Sequence, residues 1–292
     1  MSKNFQTIST YDSLVLIESL GINDNKTGLQ LGQKLKTYCD NNNIVVSYLS
    51  VSNRNQFIAT LNQINDDILN GTNQILSGGA KYPILHLDIH GSERGLHLSN
   101  GDLIEWDDFA SVCRNINNST KNNLIIVLAV CKGYKSIVNI TPKTLTPYYA
   151  LIGPEKIVYE KDIERLFPKF YLKLFKTNIL TDAIKLLKPE YHLYHCEMVF
   201  ANAYSKYIRE KCRGEGKEER LEELIDKFKK MNPHVENYSE VRELLVDLIK
   251  PRKESYNKFR HRFLLSNLRV NKDRFSVDLD DILDIIGREE ST

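Results

Sequence analysis

Cys131 follows a continuous apolar run, Leu124-Ile-Ile-Val-Leu-Ala-Val130, and is itself followed by Lys132-Gly133. About forty residues upstream a second apolar run, from Tyr82 to Ile89, ends just as abruptly in His90-Gly91. A thiolate attacks a carbonyl carbon; an imidazole takes the thiol proton and later returns it to a leaving amine. Cysteine and histidine delivered at the ends of two strands therefore form a plausible acyl-transfer pair. Gly91 adds a backbone N–H that a substrate carbonyl can approach closely, and with the Cys131 N–H it would form an oxyanion site. A helix starting at Gly133 would add a favourable dipole at the sulfur. Asp88, two residues before His90 on the same strand face, is expected to be buried. It therefore needs partners, either in a structural hydrogen bond or in orienting His90.

The elements that must position these residues alternate along the first half of the chain. Leu14–Ile17 reads as a short strand, Thr27–Cys39 as a helix and Ile44–Val51 as a strand. Arg54–Leu69 then reads as a helix closed by Asn70-Gly71. After the Tyr82–Ile89 strand, Leu96-His97-Leu98 suggests a small hairpin arm. Trp106–Ile116 is helical, and Leu124–Val130 and Tyr148–Ile152 are strands. Alternation of this kind implies a mainly parallel sheet with helices on both faces. Sites in such sheets lie at the carboxyl edge, where His90 and Cys131 both fall. From Ile157 onward the pattern is helical: Ile163–Lys176, Leu180–Leu187 and Tyr191–Cys212 carry apolar residues three and four apart. Gly214-Glu-Gly216 reads as a linker before a charged helix, Lys217–Lys230. This gives two regions, 1–213 and a helical extension, 214–292.

Composition narrows the function classes. A formal net charge of +2 over 292 residues argues against nucleic acid or membrane binding on bulk grounds. No segment approaches the roughly 18 apolar residues of a membrane span, and the start of the chain lacks the apolar core of a secretory signal. Five irregularly spaced cysteines, with no Cys-x-x-Cys, indicate neither a disulfide framework nor a zinc knuckle. The expectation is a soluble, reduced, cytoplasmic protein. Cys39, Cys113 and Cys196 fall on apolar helical faces and read as small hydrophobes, and Cys212 as an inert residue near a helix end. Arg252–Arg262 mixes basic residues with Tyr256 and Phe259, which reads as an amphipathic helix with a solvated basic face.

Leu87-Asp88-Ile89-His90-Gly91 and Ala129-Val130-Cys131-Lys132-Gly133 resemble the two motifs of caspase-like cysteine peptidases. The following Ile152-Gly-Pro-Glu155 and Phe170-Tyr171 are similar to the bacterial branch that includes CHAT-domain proteases. The likeness covers roughly Leu14 to Leu187. It implies a three-layer α/β sandwich and an endopeptidase that needs no cofactor or metal, with His90 and Cys131 as the dyad and a protein as substrate. It also implies a regulated effector in bacterial stress or antiphage defence, with the helical extension as the docking or autoinhibitory element for a sensor or regulator. Eukaryotic caspases carry Gln where this chain has Ala129, a departure that argues against strict aspartate specificity. The loop with Glu155 and Lys156 is where such folds shape the specificity pocket; Glu155 would favour a basic residue and Lys156 an acidic one.

Two contrasting readings accompany this one. A caspase fold kept for binding would be a non-catalytic interaction module. A metallophosphoesterase would use His86, Asp88 and His90, which alternate along one strand face; but the later motifs of that class, including an Asn-His pair, are missing from the sequence.

Overall fold

The structure is a computed structural model and describes residues 8–235 and 237–289. The chain divides into two compact units. One runs to Ile140 and resumes over Leu145–Cys196; the other comprises Thr141–Thr144 and the residues from Glu197 onward.

The first unit is an α/β sandwich. Its elements are β1 (Ser13–Ser19), α1 (Thr27–Asn41), β2 (Val45–Ser50), α2 (Arg54–Asn70), β3 (Pro83–Gly91), β4 (Gly95–His97), β5 (Leu103–Glu105), α3 (Trp106–Ser119), β6 (Ile125–Leu128), β7 (Ala150–Pro154), α4 (Glu160–Thr177), α5 (Leu180–Ala183) and β8 (Tyr191–His195). The main sheet runs β2-β1-β3-β6-β7-β8. All of its pairings are parallel except that of β8, which lies antiparallel along β7. The buried runs of β1, β3 and β6 fit strands covered on both faces. Local chemistry sets the helix ends. The Asn53 side chain accepts from Gln56 N–H at 3.0 Å to start α2, and Gly71 stops it at φ 64°. Helices α1 and α4 pack together against the side of β3 that carries His86 and Asp88; α2 packs with α3, where Phe57 meets Phe109.

The structure departs from the sequence expectations at four places. Tyr191–His195 is a strand, not the start of a helix. Pro189 interrupts the chain just before it, and the aromatic-rich Tyr-His-Leu-Tyr-His completes the sheet by pairing Tyr191 with Pro154 and His195 with Ala150. Gly214–Gly216 is no linker but the first turn of a helix. A Cβ on Gly216 would lie 1.9 Å from the Glu210 carbonyl oxygen, so glycine permits a close return onto the preceding helix. The segment after Cys131 is a single 3₁₀ turn, Gly133–Ile137, too short to project a helix dipole onto the sulfur. Finally, the unit boundary falls at Cys196/Glu197 instead of near Arg213. The reason lies in α6 (Cys196–Lys211), whose Phe200 and Tyr204 pack on Tyr256 and Phe263 of the second unit.

That second unit continues with α7 (Gly214–Met231), α8 (Ser239–Ile249), α9 (Lys253–Leu264) and α10 (Leu279–Glu289). Tyr256 and Phe263 are buried on α9, as its amphipathic pattern predicts, and the Tyr256 hydroxyl donates to Val277 O at 2.6 Å. No helix among the described residues is long and apolar enough to cross a membrane.

Candidate active site

Strands β3 and β6 are parallel neighbours in a register that pairs Ile84 with Ile125 and Leu87 with Leu128, an offset of 41 residues. His90 and Cys131 are separated by the same 41 residues. The register that packs the core therefore carries the two reactive residues to the same level of the sheet's carboxyl edge. The ladder stops short of them. Its last rung runs from Ala129 N–H to Leu87 O at 2.9 Å. The bonds that would continue it, from Cys131 N–H to Ile89 O and from Gly91 N–H to Cys131 O, do not form among the described residues. β4 does not take the Gly91 N–H either. Ser92 N–H bonds Gly95 O at 3.0 Å, and antiparallel alternation then turns Gly91 away from β4. The Gly91 and Cys131 N–H groups are thus left out of the ladder, which makes them the candidate donors of an oxyanion site. Gly91 is obligatory here: a Cβ would sit 2.3 Å from Val130 Cγ1 and 2.4 Å from the Cys131 carbonyl oxygen.

Cys131 occupies the corner of a tight turn closed by Gly133 N–H to Val130 O at 3.0 Å, with Lys132 in the left-handed region at φ 57°. A non-glycine residue holds that conformation only when anchored. Lys132 is anchored twice, by its N–H to Lys156 O at 3.0 Å and by Nζ to Glu93 Oε1 at 2.6 Å. The thiol is partly exposed, whereas Cys39, Cys113, Cys196 and Cys212 are buried. Val158 N–H donates to Cys131 Sγ at 3.5 Å and Val158 O lies 3.9 Å from the same sulfur, so the Val158 backbone fixes the position of the thiol.

His90 is 60% exposed, and its Nε2 lies 2.9 Å from Asp24 Oδ2. The bond from His90 and the bond from Gly21 N–H at 2.7 Å hold the Asp24 carboxyl below its ordinary range. An ionised carboxylate only accepts, so Nε2 carries the proton and Nδ1 is the nitrogen left free to act as a base. The loop that holds Asp24 leads into α1, and the loop that holds Val158 leads into α4. Asn25 Nδ2 ties the two by donating to Glu160 Oε2 at 2.8 Å. The His90 and Cys131 side chains are not hydrogen-bonded to each other; dyad bonds often tighten only when substrate binds.

Of the two roles expected of Asp88, the structure shows the structural hydrogen bond. Asp88 is buried and accepts from Thr27 Oγ1 at the start of α1, so orientation of His90 falls to Asp24 and Asp88 is structural. Burial pushes its carboxyl up to about 7, with Glu18 adding to the rise. His86 is fully buried, with Nδ1 3.0 Å from the Tyr171 hydroxyl, and burial drives its pKa down to about 3. The alternating His86, Asp88 and His90 thus go to Tyr171, Thr27 and Asp24. No group of three His, Cys, Asp or Glu side chains placed to hold a metal ion occurs among the described residues. That divergence removes the geometric basis of the phosphoesterase reading.

Beside Cys131 opens a cleft of about 1040 Å³, lined in part by Glu93, Lys132, Lys135, Glu155, Lys156 and Glu190. Glu155 and Lys156 are where a specificity pocket is expected from the sequence. Ala129 is not: its side chain is 3% exposed and its N–H forms the last rung of the ladder, so it lies beneath the cleft and does not line it.

Sequence reasoning missed three residues of this region. Asp24 sits in a Gly- and Asn-rich stretch, Gly21-Ile-Asn-Asp-Asn25, that is legible as a loop after β1; its meeting with His90 depends on β1 pairing with β3. Glu190 and Tyr191 are hidden in the sequence because the helical spacing that runs to Cys212 extends back over β8; Pro189 and the aromatic alternation are the signals that mark the strand. The Tyr191 hydroxyl is buried with no hydrogen-bond partner among the described residues, and burial together with the nearby Cys131 keeps the phenol protonated.

No protein-family model and no curated protein matches this chain.

Proposed function

We propose that the α/β unit is a caspase-like cysteine endopeptidase working in a reducing, cytoplasmic setting. Cys131 is the nucleophile, His90 the general acid and base, and Asp24 the residue that positions the imidazole. The observation that carries this reading is the 41-residue offset between the paired strands β3 and β6, which equals the spacing of His90, at the end of β3, and Cys131, in the turn three residues past β6, where the Gly91 and Cys131 N–H groups have left the ladder. In the reaction so proposed, the Cys131 sulfur forms a bond to the scissile carbonyl carbon, and the two N–H groups hold the resulting oxyanion. Protonated His90 donates to the leaving amine as the C–N bond breaks. A water deprotonated by His90 then attacks the thioester and releases the sulfur.

The test is covalent labelling of the full chain with a peptide acyloxymethyl ketone. Label is expected on Cys131, lost in Cys131→Ala and retained in Cys113→Ala, whose thiol is fully buried. Absence of label in the wild type, under conditions where iodoacetamide still alkylates Cys131, would leave the fold as a binding module. Profiling of new protein N-termini in cells carrying wild type against Cys131→Ala would then identify the substrate.

A further inference from the structure

The cleft beside Cys131 is lined by three acidic and three basic residues, so net charge does not choose a ligand for it. The partners of each charge do. Glu93 is occupied, with Lys132 Nζ at 2.6 Å and Lys135 Nζ at 3.1 Å. Those two lysines are spent on the same contact. Lys156 is exposed and makes no ion pair within 4.0 Å among the described residues, so its ammonium is solvated by bulk water. Glu155 is 56% exposed and reaches only His192 Nε2, at 3.4 Å. Glu190 differs from all of these. It lines the cleft, yet its Oε2 is buried and has no hydrogen-bond partner. Its main chain is fixed by Glu155 N–H donating to Glu190 O at 3.0 Å, which locks it to the loop that reaches Cys131 through Val158. A buried carboxylate oxygen without a partner is a costly arrangement that an incoming cation relieves.

We infer that this cleft is the subsite for a lysine or arginine side chain immediately before the cleaved bond, with Glu190 as its acceptor and Glu155 as a second carboxylate nearer the solvent. The inference rests on the peptidase reading and names its substrate class. An acidic side chain would meet two lysines already neutralised by Glu93 and one that would have to give up its hydration. A basic side chain meets the half-buried Glu190 carboxylate, whose Oε2 has no hydrogen-bond partner among the described residues. The walls suit a long aliphatic stem as well. Ile157 and Val138 line the cleft and are 62% and 68% exposed, which gives the methylenes of lysine or arginine an apolar surface while the charged head reaches Glu190. The roughly 1040 Å³ of the cleft does not exclude side chains of that length.

The experiment uses the full chain and a set of acyloxymethyl ketone peptides that differ only in the residue before the warhead: arginine, lysine, aspartate or norleucine. Labelling rates at Cys131 are read by intact mass. Arginine or lysine should label at least tenfold faster than norleucine or aspartate. In Glu190→Gln that ratio should fall by tenfold or more, with a smaller fall in Glu155→Gln, and Glu190→Asp should restore part of it. Loss of fold would slow every probe alike, so the ratio separates binding from stability. Faster labelling by the aspartate or norleucine probe, or an unchanged ratio in Glu190→Gln, overturns the inference and leaves the peptidase standing. Failure of all four probes on a thiol that iodoacetamide alkylates overturns both.

Discussion

The carboxyl edge of the sheet has two halves that treat their polar groups in opposite ways. On the β1–β3 side every buried charge has an assigned place. Glu18 accepts from Tyr48 Oη at 2.6 Å and from the Gly28 and Leu29 N–H groups at 3.0 and 3.3 Å, and Asp88, paired in register with Glu18, accepts from Thr27. The start of α1 thus caps two buried carboxylates with its otherwise unpaired donors. On the β6–β8 side, the Cys131 N–H, the Glu190 Oε2 and the Tyr191 hydroxyl have no hydrogen-bond partner among the described residues. Folded proteins pair nearly all buried polar groups; Glu190 Oε2 and Tyr191 Oη are two exceptions near the partly exposed Cys131, and His86 Nε2 on β3 is another, enclosed in the core. On the proposed reading, the first half is scaffold and the second holds the site.

The largest test of that contrast is Cys131→Ala. Labelling and turnover should vanish, a fall of at least about 10³-fold. The melting temperature should move by no more than a few degrees, because the partly exposed thiol contributes little core area.

Next comes the pH dependence of the scaffold half. The folded Asp88 pKa, about 7, lies above its ordinary 3.8, so the folded chain binds the extra proton. Stability is therefore greatest below pH 4, is lost as pH rises toward 7 and levels off beyond. His86 works in reverse: its pKa of about 3, against an ordinary 6.5, means that stability is lost as pH falls through that window. Each effect is on the order of 4 kcal/mol, and the two oppose each other between pH 4 and 6.5. Asp88→Asn removes one of them. Denaturant unfolding at pH 4, 5.5 and 7 should show the variant gaining on wild type with rising pH. A constant difference would mean that Asp88 is as well solvated as an ordinary carboxylate.

The two glycines that face each half give the third comparison. Gly91→Ala drives a Cβ into the backbone of Cys131 and should cost about 2–4 kcal/mol along with probe reactivity. Gly28→Ala brings its Cβ only to 3.1 Å from Glu18 Oε1, the end of a side chain, and should cost less than about 1 kcal/mol. Equal losses in urea unfolding would count against the strained closeness of Gly91 and Cys131.

The smallest effect concerns orientation. Asp24→Asn should lower kcat/KM about tenfold in the wild-type background and leave His90→Ala unchanged, as a group acting only through the imidazole must. The Asp24 carboxyl is held below its ordinary range, so the His90 contact should persist down to pH 4 and weaken only as pH falls further.

Much of this was legible in the chain. Mostly apolar runs ending in His90-Gly91 and in Cys131-Lys-Gly placed both residues at or just past strand ends, because a buried parallel strand is mainly apolar while its carboxyl end meets solvent. The burial of Cys39, Cys113 and Cys196 followed from helical spacing. The exact matching of register to the His90–Cys131 spacing was not legible, since strand order is a property of long-range pairing. Asp24 escaped notice because a loop has no periodicity to reveal its neighbour. Glu190 and Tyr191 escaped because five residues of edge strand carry too weak a pattern to outweigh the helix that follows.

The sequence by itself therefore determined the candidate residues for the proposed chemistry and that a mainly parallel sheet would present them at one edge, since local hydrophobic pattern dictates strand and helix. Only the tertiary structure decided which groups meet there: Asp24 on His90, Val158 on the thiol, and a carboxylate at Glu190 left without a partner. Those contacts join segments 27 to 66 residues apart in the chain, and only the packing of β1, β3, β6 and β8 brings them together.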